Sequence, residues 1–211
     1  MDEKFLKPYN PQETEPRIYK TWEDSGYFNP DNLPDAEKRE PFTIMMPPPN
    51  ATGVLHMGHA LGITIEDIFI RFKRMQGFRA LYLPGTDHAA IATQSTVEKQ
   101  ISKEEGKNRH DLGREELMRR IDAFVQDRRD TIGQQTRLVG ASADWSREAF
   151  TLDEKRNKAV RRLFKDMYDA GLIYRGHRIV NWDPKGQTTI SDDEIVYEER
   201  KEKFYYLKYG P

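Results

Sequence analysis

The sequence predicts an α/β fold built on a parallel sheet, and three observations carry that prediction. Two short apolar runs, Phe42–Met46 and Ala80–Leu83, each end at proline. Each run is followed by a glycine-containing loop and then by a long stretch with helical apolar spacing, and the second unit follows the first directly. Strand, turn and helix repeated in this way pack as a parallel sheet with right-handed crossovers.

Taken in order, residues 1–41 are rich in Pro, Asn and charge and read as an arm, with one short helix expected over Ile18–Ser25 ahead of Gly26. Phe42–Met46 reads as a buried strand, stopped by Pro47-Pro48-Pro49 because proline has no N–H to give to a ladder. Beyond Asn50–Gly53, Leu55, Leu61, Ile65, Ile68, Phe69, Phe72 and Met75 keep a helical spacing as far as Gly77, one helix of about twenty residues. The second strand, Ala80–Leu83, runs into Pro84, and Gly85-Thr86-Asp87-His88 leads to a helix through about Glu105. A longer amphipathic helix is expected over 112–138, and another opens at Thr151, where Thr151 and Glu154 have capping-box spacing, and closes at Gly171. From Leu172 the chain turns β-rich, with strands expected at Ile173-Tyr174, Arg178–Trp182, Glu194–Tyr197 and Phe204–Tyr209.

The 211 residues carry 34 Lys+Arg against 35 Asp+Glu, a net charge of −1, so the chain is no polycation built to grip phosphate backbones. Leu, Ile, Val and Phe together number 44, about a fifth of the chain, which gives a folded but lean core. Zero cysteines exclude disulfides, thiolate metal sites and cysteine nucleophiles. No apolar run approaches the roughly 18 residues of a membrane helix, and the start MDEKFLKPYN lacks the apolar core of a signal peptide. A soluble, cytoplasmic protein with no membrane contact is expected.

The first candidate site is the loop and helix start from Pro47 to His59. A strand that empties through a loop into a helix sets the helix N-terminus, with its free N–H groups and partial positive charge, at the carboxyl edge of a parallel sheet, where phosphate binds. Gly53 and Gly58 remove side chains where a nucleotide would approach, and His56 and His59, three apart, lie on one face of that first turn. The plainer reading makes Pro-Asn-Gly turn punctuation and both histidines surface residues. Zinc on His56, His59 and His88 is disfavoured, because a metalloprotease helix needs His-Glu-x-x-His and position 57 is Met. At the second strand's end, either Thr86 or Asp87 merely caps the next helix, or Asp87 offers a carboxylate to a cation at the same sheet edge.

The run Pro47-Pro-Pro-Asn50, Thr52-Gly53, then Leu55-His-Met-Gly-His-Ala60 resembles the signature of class I aminoacyl-tRNA synthetases in its valyl form, whereas isoleucyl, leucyl and methionyl forms usually open this loop with Pro-Tyr. Gly85-Thr-Asp-His-Ala89 with Ile91-Ala-Thr-Gln94, Asp144-Trp-Ser-Arg-Glu148 with Phe150-Thr151 and Asp153-Glu154, Val180-Asn-Trp-Asp-Pro-Lys185 and Thr189-Ile-Ser-Asp192 are similar to the same family. The resemblance runs from about residue 9 to the end. It departs at Ala90, where Gly is usual, at Tyr82, where Trp is common, and at Gly186, where Leu is usual.

The resemblance implies activation of L-valine with ATP to valyl-adenylate, with Mg2+ on the phosphates and no zinc, and transfer of valine to tRNA(Val). It assigns ATP to Asn50, Thr52, Gly53, His56, Gly58 and His59, with His56 and His59 as the catalytic pair, and valine to Pro47, Pro48, Asn50 and Asp87. The implied architecture is an arm (1–41), the first part of a Rossmann-like catalytic domain (42–195) and the start of an editing insertion (196–211). Family members carry a later Lys-Met-Ser-Lys-Ser-type loop that these residues lack, so an N-terminal fragment of a monomeric enzyme is expected, weakly active or inactive alone, with its tRNA contacts mostly elsewhere. The alternatives are a His-x-Gly-His nucleotidylyltransferase and an inactive nucleotide-binding module. Arg156, Lys158, Arg161, Arg162 and Lys165 share a helix face; with Asp153, Glu154 and Asp166 beside them they read as a solvated face before a tRNA contact.

Overall fold

In the computed structural model, which describes residues 8–210, Asn10 caps the first helix, α1 (Pro11–Asp24), its side chain accepting from the Gln12 N–H at 3.1 Å. The first seven residues of the expected arm, and Pro211 at the end of the expected insertion, lie outside the described residues. The helix starts seven residues earlier than Ile18 because Asn10 with Pro11 at the first helical position makes a strong N-terminus, and Pro16 within it forfeits only one backbone bond.

Strand β1 (Pro41–Met45) leads through a loop into helix α2 (Met57–Met75), which returns the chain to strand β2 (Arg79–Leu83). The two strands pair in parallel with Phe42 opposite Ala80 and Ile44 opposite Tyr82. The expected βαβ unit therefore forms, and α2 has 19 residues. It closes where expected: Gly77, at φ +88°, donates to the Arg74 carbonyl at 3.0 Å and Phe78 to that of Lys73 at 3.1 Å, a left-handed termination that glycine enters without strain. The inner face of α2 buries Ile63 and Ile70 against Met46, Tyr82, Ala141 and Ala143. Tyr82 is wholly buried and satisfies its hydroxyl by donating to Glu66 at 2.8 Å, so the phenol is accommodated where the family commonly has an indole.

Pro84 separates β2 from β3 (Gly85–Thr86), which pairs in parallel with β4 (Ala149–Phe150). Alternation makes this possible. Tyr82, Pro84 and Thr86 turn their carbonyls to the incoming strand, accepting from Asp144, Ala149 and Thr151, while Leu83 and Asp87 bond toward the β1 side. The N–H that Pro84 lacks is thus missing only from the β4 side, and the chain runs between two parallel neighbours.

Between β3 and β4 come α3 (Ala90–Glu105), α4 (Arg109–Leu112) and α5 (Arg114–Leu138). The helix expected over 112–138 forms as α5 and starts two residues later, because Gly113, whose φ +74°, ψ 167° belongs to a region open essentially to glycine alone, separates it from α4. Val97, Ile101, Leu117, Ile121 and Val125 form a second core with Ala51 of the loop after β1.

Helix α6 (Glu154–Asp169) begins after Asp153, whose Oδ1 accepts from the Arg156 N–H at 2.8 Å. Asp153 therefore fills the capping role expected of Thr151, whose hydroxyl is engaged elsewhere. The helix ends as expected, Gly171 donating to the Tyr168 carbonyl at 3.0 Å.

The chain divides into two compact units, Met1–Arg162 and Leu163–Pro211. In the second, the expected β character is realised as one antiparallel pair, β5 (Trp182–Asp183) with β6 (Thr188–Thr189). The other runs expected as strands, Ile173-Tyr174, Glu194–Tyr197 and Phe204–Tyr209, lie outside any strand; Tyr197 and Phe204 are more than four-fifths exposed. A strand exists only with a ladder partner, and these runs have none among the described residues. Gly186 donates to Asp183 Oδ2 at 3.0 Å, and a Cβ there would come within 2.5 Å of that oxygen, so the Leu-to-Gly departure fits this turn. Among the described residues no helix is long and apolar enough to cross a membrane.

Candidate functional site

The loop after β1 alternates exposed and buried positions: Met46 buried, Pro47 and Pro48 exposed, Pro49 buried, Asn50 exposed, Ala51 buried. Prolines cannot donate, yet their carbonyls still accept, and this is how the ladder resumes beyond them. Met46 donates to the Leu83 carbonyl at 3.0 Å; then Asp87 donates to Pro49 at 2.8 Å and Ala51 to Asp87 at 2.7 Å. Asn50 and Asp87 consequently stand opposite each other as a parallel bridge. The expectation that Asp87 shares a sheet edge with the first loop is met by backbone bonds. Leu55, near the loop's end, donates to the Gln135 side chain on α5 at 2.8 Å.

The N-terminus of α2 is capped by its own histidines. His56 Nδ1 accepts from the Gly58 N–H at 3.1 Å, and the His56 N–H donates to His59 Nδ1 at 3.2 Å, a reciprocal capping box with the rings 3.8 Å apart. Two accepting Nδ1 atoms assign the tautomer, so a neutral imidazole at either position carries its proton on Nε2, where it is a donor. Burial, with a smaller contribution from neighbouring His56, holds the His59 pKa below its ordinary 6.5, which favours the neutral ring. A Cβ on Gly58 would lie 2.9 Å from His56 Cε1, so glycine there makes room for the His56 ring. Gly53 has open space over its Cα, and Thr52 beside it is half-buried.

Half-buried Asp87 receives the Thr151 hydroxyl on Oδ1 at 2.7 Å, and the same hydroxyl oxygen accepts from the His88 N–H at 2.9 Å. Ala89 and Ala90 then both adopt positive φ, +55° and +34°, before α3 continues; at the position where the family usually has Gly, alanine carries that strain. Thr93, fully buried, ties the turn by donating to the His88 carbonyl at 2.5 Å.

The two histidines thus stand together at the start of α2 and Asn50 opposite Asp87, while the contacts of Gln135 and Thr151 have no counterpart in the sequence reading. The three-histidine zinc set is not assembled: His56 and His59 pair, His88 lies against Phe150, and no three metal-ligating side chains cluster among the described residues. A cavity of about 780 Å3 lies elsewhere, between α1 and the end of α5. On α6, Arg156 pairs with Asp153 and Lys165 with Asp169.

A family model described as tRNA synthetases class I (I, L, M and V) matches residues 17–208. The chain is 52 % identical to the valine–tRNA ligase of Clostridium acetobutylicum over 98 % of its own length, 53 % to that of Carboxydothermus hydrogenoformans over 95 %, and 48 % to that of Thermotoga maritima over 95 %. It spans only 22–23 % of the length of those relatives. Among solved structures it resembles the Agrobacterium radiobacter K84 agnB2 LeuRS in its ternary complex with tRNA and LeuAMS, with a TM-score of 0.72 and 22 % identity, covering 90 % of this chain and 21 % of that one. At that identity the likeness speaks for the fold.

Proposed function

This chain belongs to the class I tRNA synthetases (I, L, M and V), and from that premise we propose that it forms the ATP- and valine-binding corner of a valine–tRNA ligase. The observation that carries the reading is one sheet edge bearing two complementary groups: a helix N-terminus capped through the Nδ1 atoms of two imidazoles, which leaves Nε2 as the donor, and a carboxylate, Asp87, in the adjacent loop. The first suits triphosphate and the second an α-ammonium. Valine-ligase relatives near 50 % identity support valine over its leucine and isoleucine counterparts.

In this reading the valine carboxylate oxygen bonds to the α-phosphorus of ATP as the bond from that phosphorus to the bridging oxygen of pyrophosphate breaks. The protein supplies no covalent nucleophile; it orients the reactants and stabilises charge. His56 and His59 donate to the phosphates, which carry Mg2+ with the substrate. Asn50, Thr52, Gly53 and Gly58 line the nucleotide side. Pro47, Pro48 and Asn50 border the valine side chain, and Asp87 takes its ammonium. A monomeric, cytoplasmic enzyme, with tRNA(Val) as acceptor and residues 1–41, 42–195 and 196–211 as arm, catalytic part and start of the editing insertion, completes the reading.

The test is binding of ATP and of valyl-sulfamoyl-adenosine to the chain, with valine-dependent ATP–pyrophosphate exchange measured beside isoleucine and threonine. His56→Ala and His59→Ala should each weaken ATP by about tenfold or more, with circular dichroism unchanged. ATP affinity indifferent to both histidines would overturn the assignment of the corner. ATP binding with no preference for the valyl analogue would favour the plain nucleotide-binding module.

A further inference from the structure

We infer that Thr151 is a positioning residue for the ammonium-binding carboxylate of Asp87, an inference that rests on the reading of Asp87 just given. A threonine hydroxyl has one proton to give. Here its oxygen already accepts from the His88 N–H at 2.9 Å, and the proton is directed to Asp87 Oδ1 at 2.7 Å. The Thr151 backbone is placed independently, its N–H donating to the Thr86 carbonyl at 3.2 Å as the ladder of β3 and β4 runs on. Two laterally paired backbone segments, 86–88 and 149–151, therefore fix the hydroxyl, and the hydroxyl fixes the carboxylate.

Two further observations separate this from an ordinary structural bond. Thr151 is exposed, so its hydrogen bonds contribute little net stability, and the capping role that its position suggests is filled by Asp153. Among the described residues no Lys, Arg or His forms an ion pair with Asp87, and no second side chain donates to it. The carboxylate is thus oriented on one oxygen and left unneutralised, the state in which it attracts a cationic ligand group most strongly.

The experiment compares two ligands on the full chain: valyl-sulfamoyl-adenosine and its des-amino counterpart, isovaleryl-sulfamoyl-adenosine. Thr151→Val, which keeps the shape and removes the donor, should weaken the valyl ligand about five- to tenfold and leave ATP and the des-amino ligand within about twofold. Thr151→Ser should restore the valyl affinity. Asp87→Asn is the control and should abolish the preference for the ammonium. If Asp87→Asn abolishes the preference but Thr151→Val leaves it intact, or if Thr151→Val weakens both ligands alike, the inference is overturned while the reading of Asp87 stands. If the unaltered chain shows no preference for the ammonium-bearing ligand, the reading of Asp87 fails and the inference falls with it.

Discussion

The Trp145 indole donates to the Tyr19 hydroxyl at 2.9 Å, and that hydroxyl donates to the Ala141 carbonyl at 2.7 Å, so one phenol in α1 joins the turn after α5 to the segment entering β4. Tyr19→Phe leaves an indole N–H and a carbonyl without this partner, and a loss of about 1–3 kcal/mol in urea unfolding is expected. Burial, acting against the Trp145 bond, pushes the Tyr19 pKa up to about 12. Between pH 10 and 12 the unfolded chain has released this proton and the folded chain retains it, so stability falls as pH rises through that window. The phenylalanine variant should lack that part of the alkaline slope.

His59 works in the opposite direction. Its pKa lies below the ordinary 6.5, chiefly through burial and secondly through His56, so below pH 6.5 the unfolded chain binds the proton more readily. The contribution to stability is fully present above that pH and declines as pH falls. Proton NMR titration of His59 should give a pKa under 6.5 that moves upward in His56→Ala. A pKa at or above 6.5 would contradict the neutral-imidazole picture of the helix N-terminus.

Ala90→Gly should stabilise the protein. Alanine at φ +34° holds a conformation that costs an L-residue about 1 kcal/mol or more, against a smaller loss from the freer unfolded glycine chain. A rise of roughly 2–4 °C in melting temperature is expected for a chain of this size. A drop would mean that the left-handed turn after His88 is misassigned.

Gly58→Ala separates stability from ligand binding. The new methyl would lie 2.9 Å from His56 Cε1, so the ring must swing away and release the Gly58 N–H. Better helix propensity offsets the lost cap, leaving stability within about 1 kcal/mol. ATP affinity should nevertheless fall about tenfold, because the Nε2–H direction depends on that cap. Unchanged ATP binding in this variant would count against His56 as a phosphate donor.

The βαβ unit was legible because its signals are local: an apolar run, a proline stop, a helical period and a terminal glycine such as Gly77. The histidine pair was legible for the same reason, three residues apart at a helix start. Thr151 was misread because its spacing to Glu154 imitates a capping box, while its real partner, Asp87, is 64 residues away and is reached only through the pairing of β3 with β4. Gln135 gave no sign at all, since one polar position on a long amphipathic helix looks like any other. Of the strands expected after Leu172, only the end of Arg178–Trp182 is taken up, in β5, and the rest lack partners: β propensity describes what a run will accept, and a ladder decides whether it is taken up.

The loop from Met46 to Leu55 is bonded at each end and twice between, to Leu83, Asp87 and Gln135. Such a loop has little conformational freedom left to surrender on binding the nucleotide proposed for it. The ordering cost, about 1 kcal/mol or more per residue for a segment that must stiffen on binding, falls on folding of the chain instead. Because one of those bonds goes to a side chain 80 residues onward, the corner proposed for nucleotide depends for its stiffness on the folding of α5. Under the proposed function, ligand occupancy and the local opening of that helix are then linked equilibria.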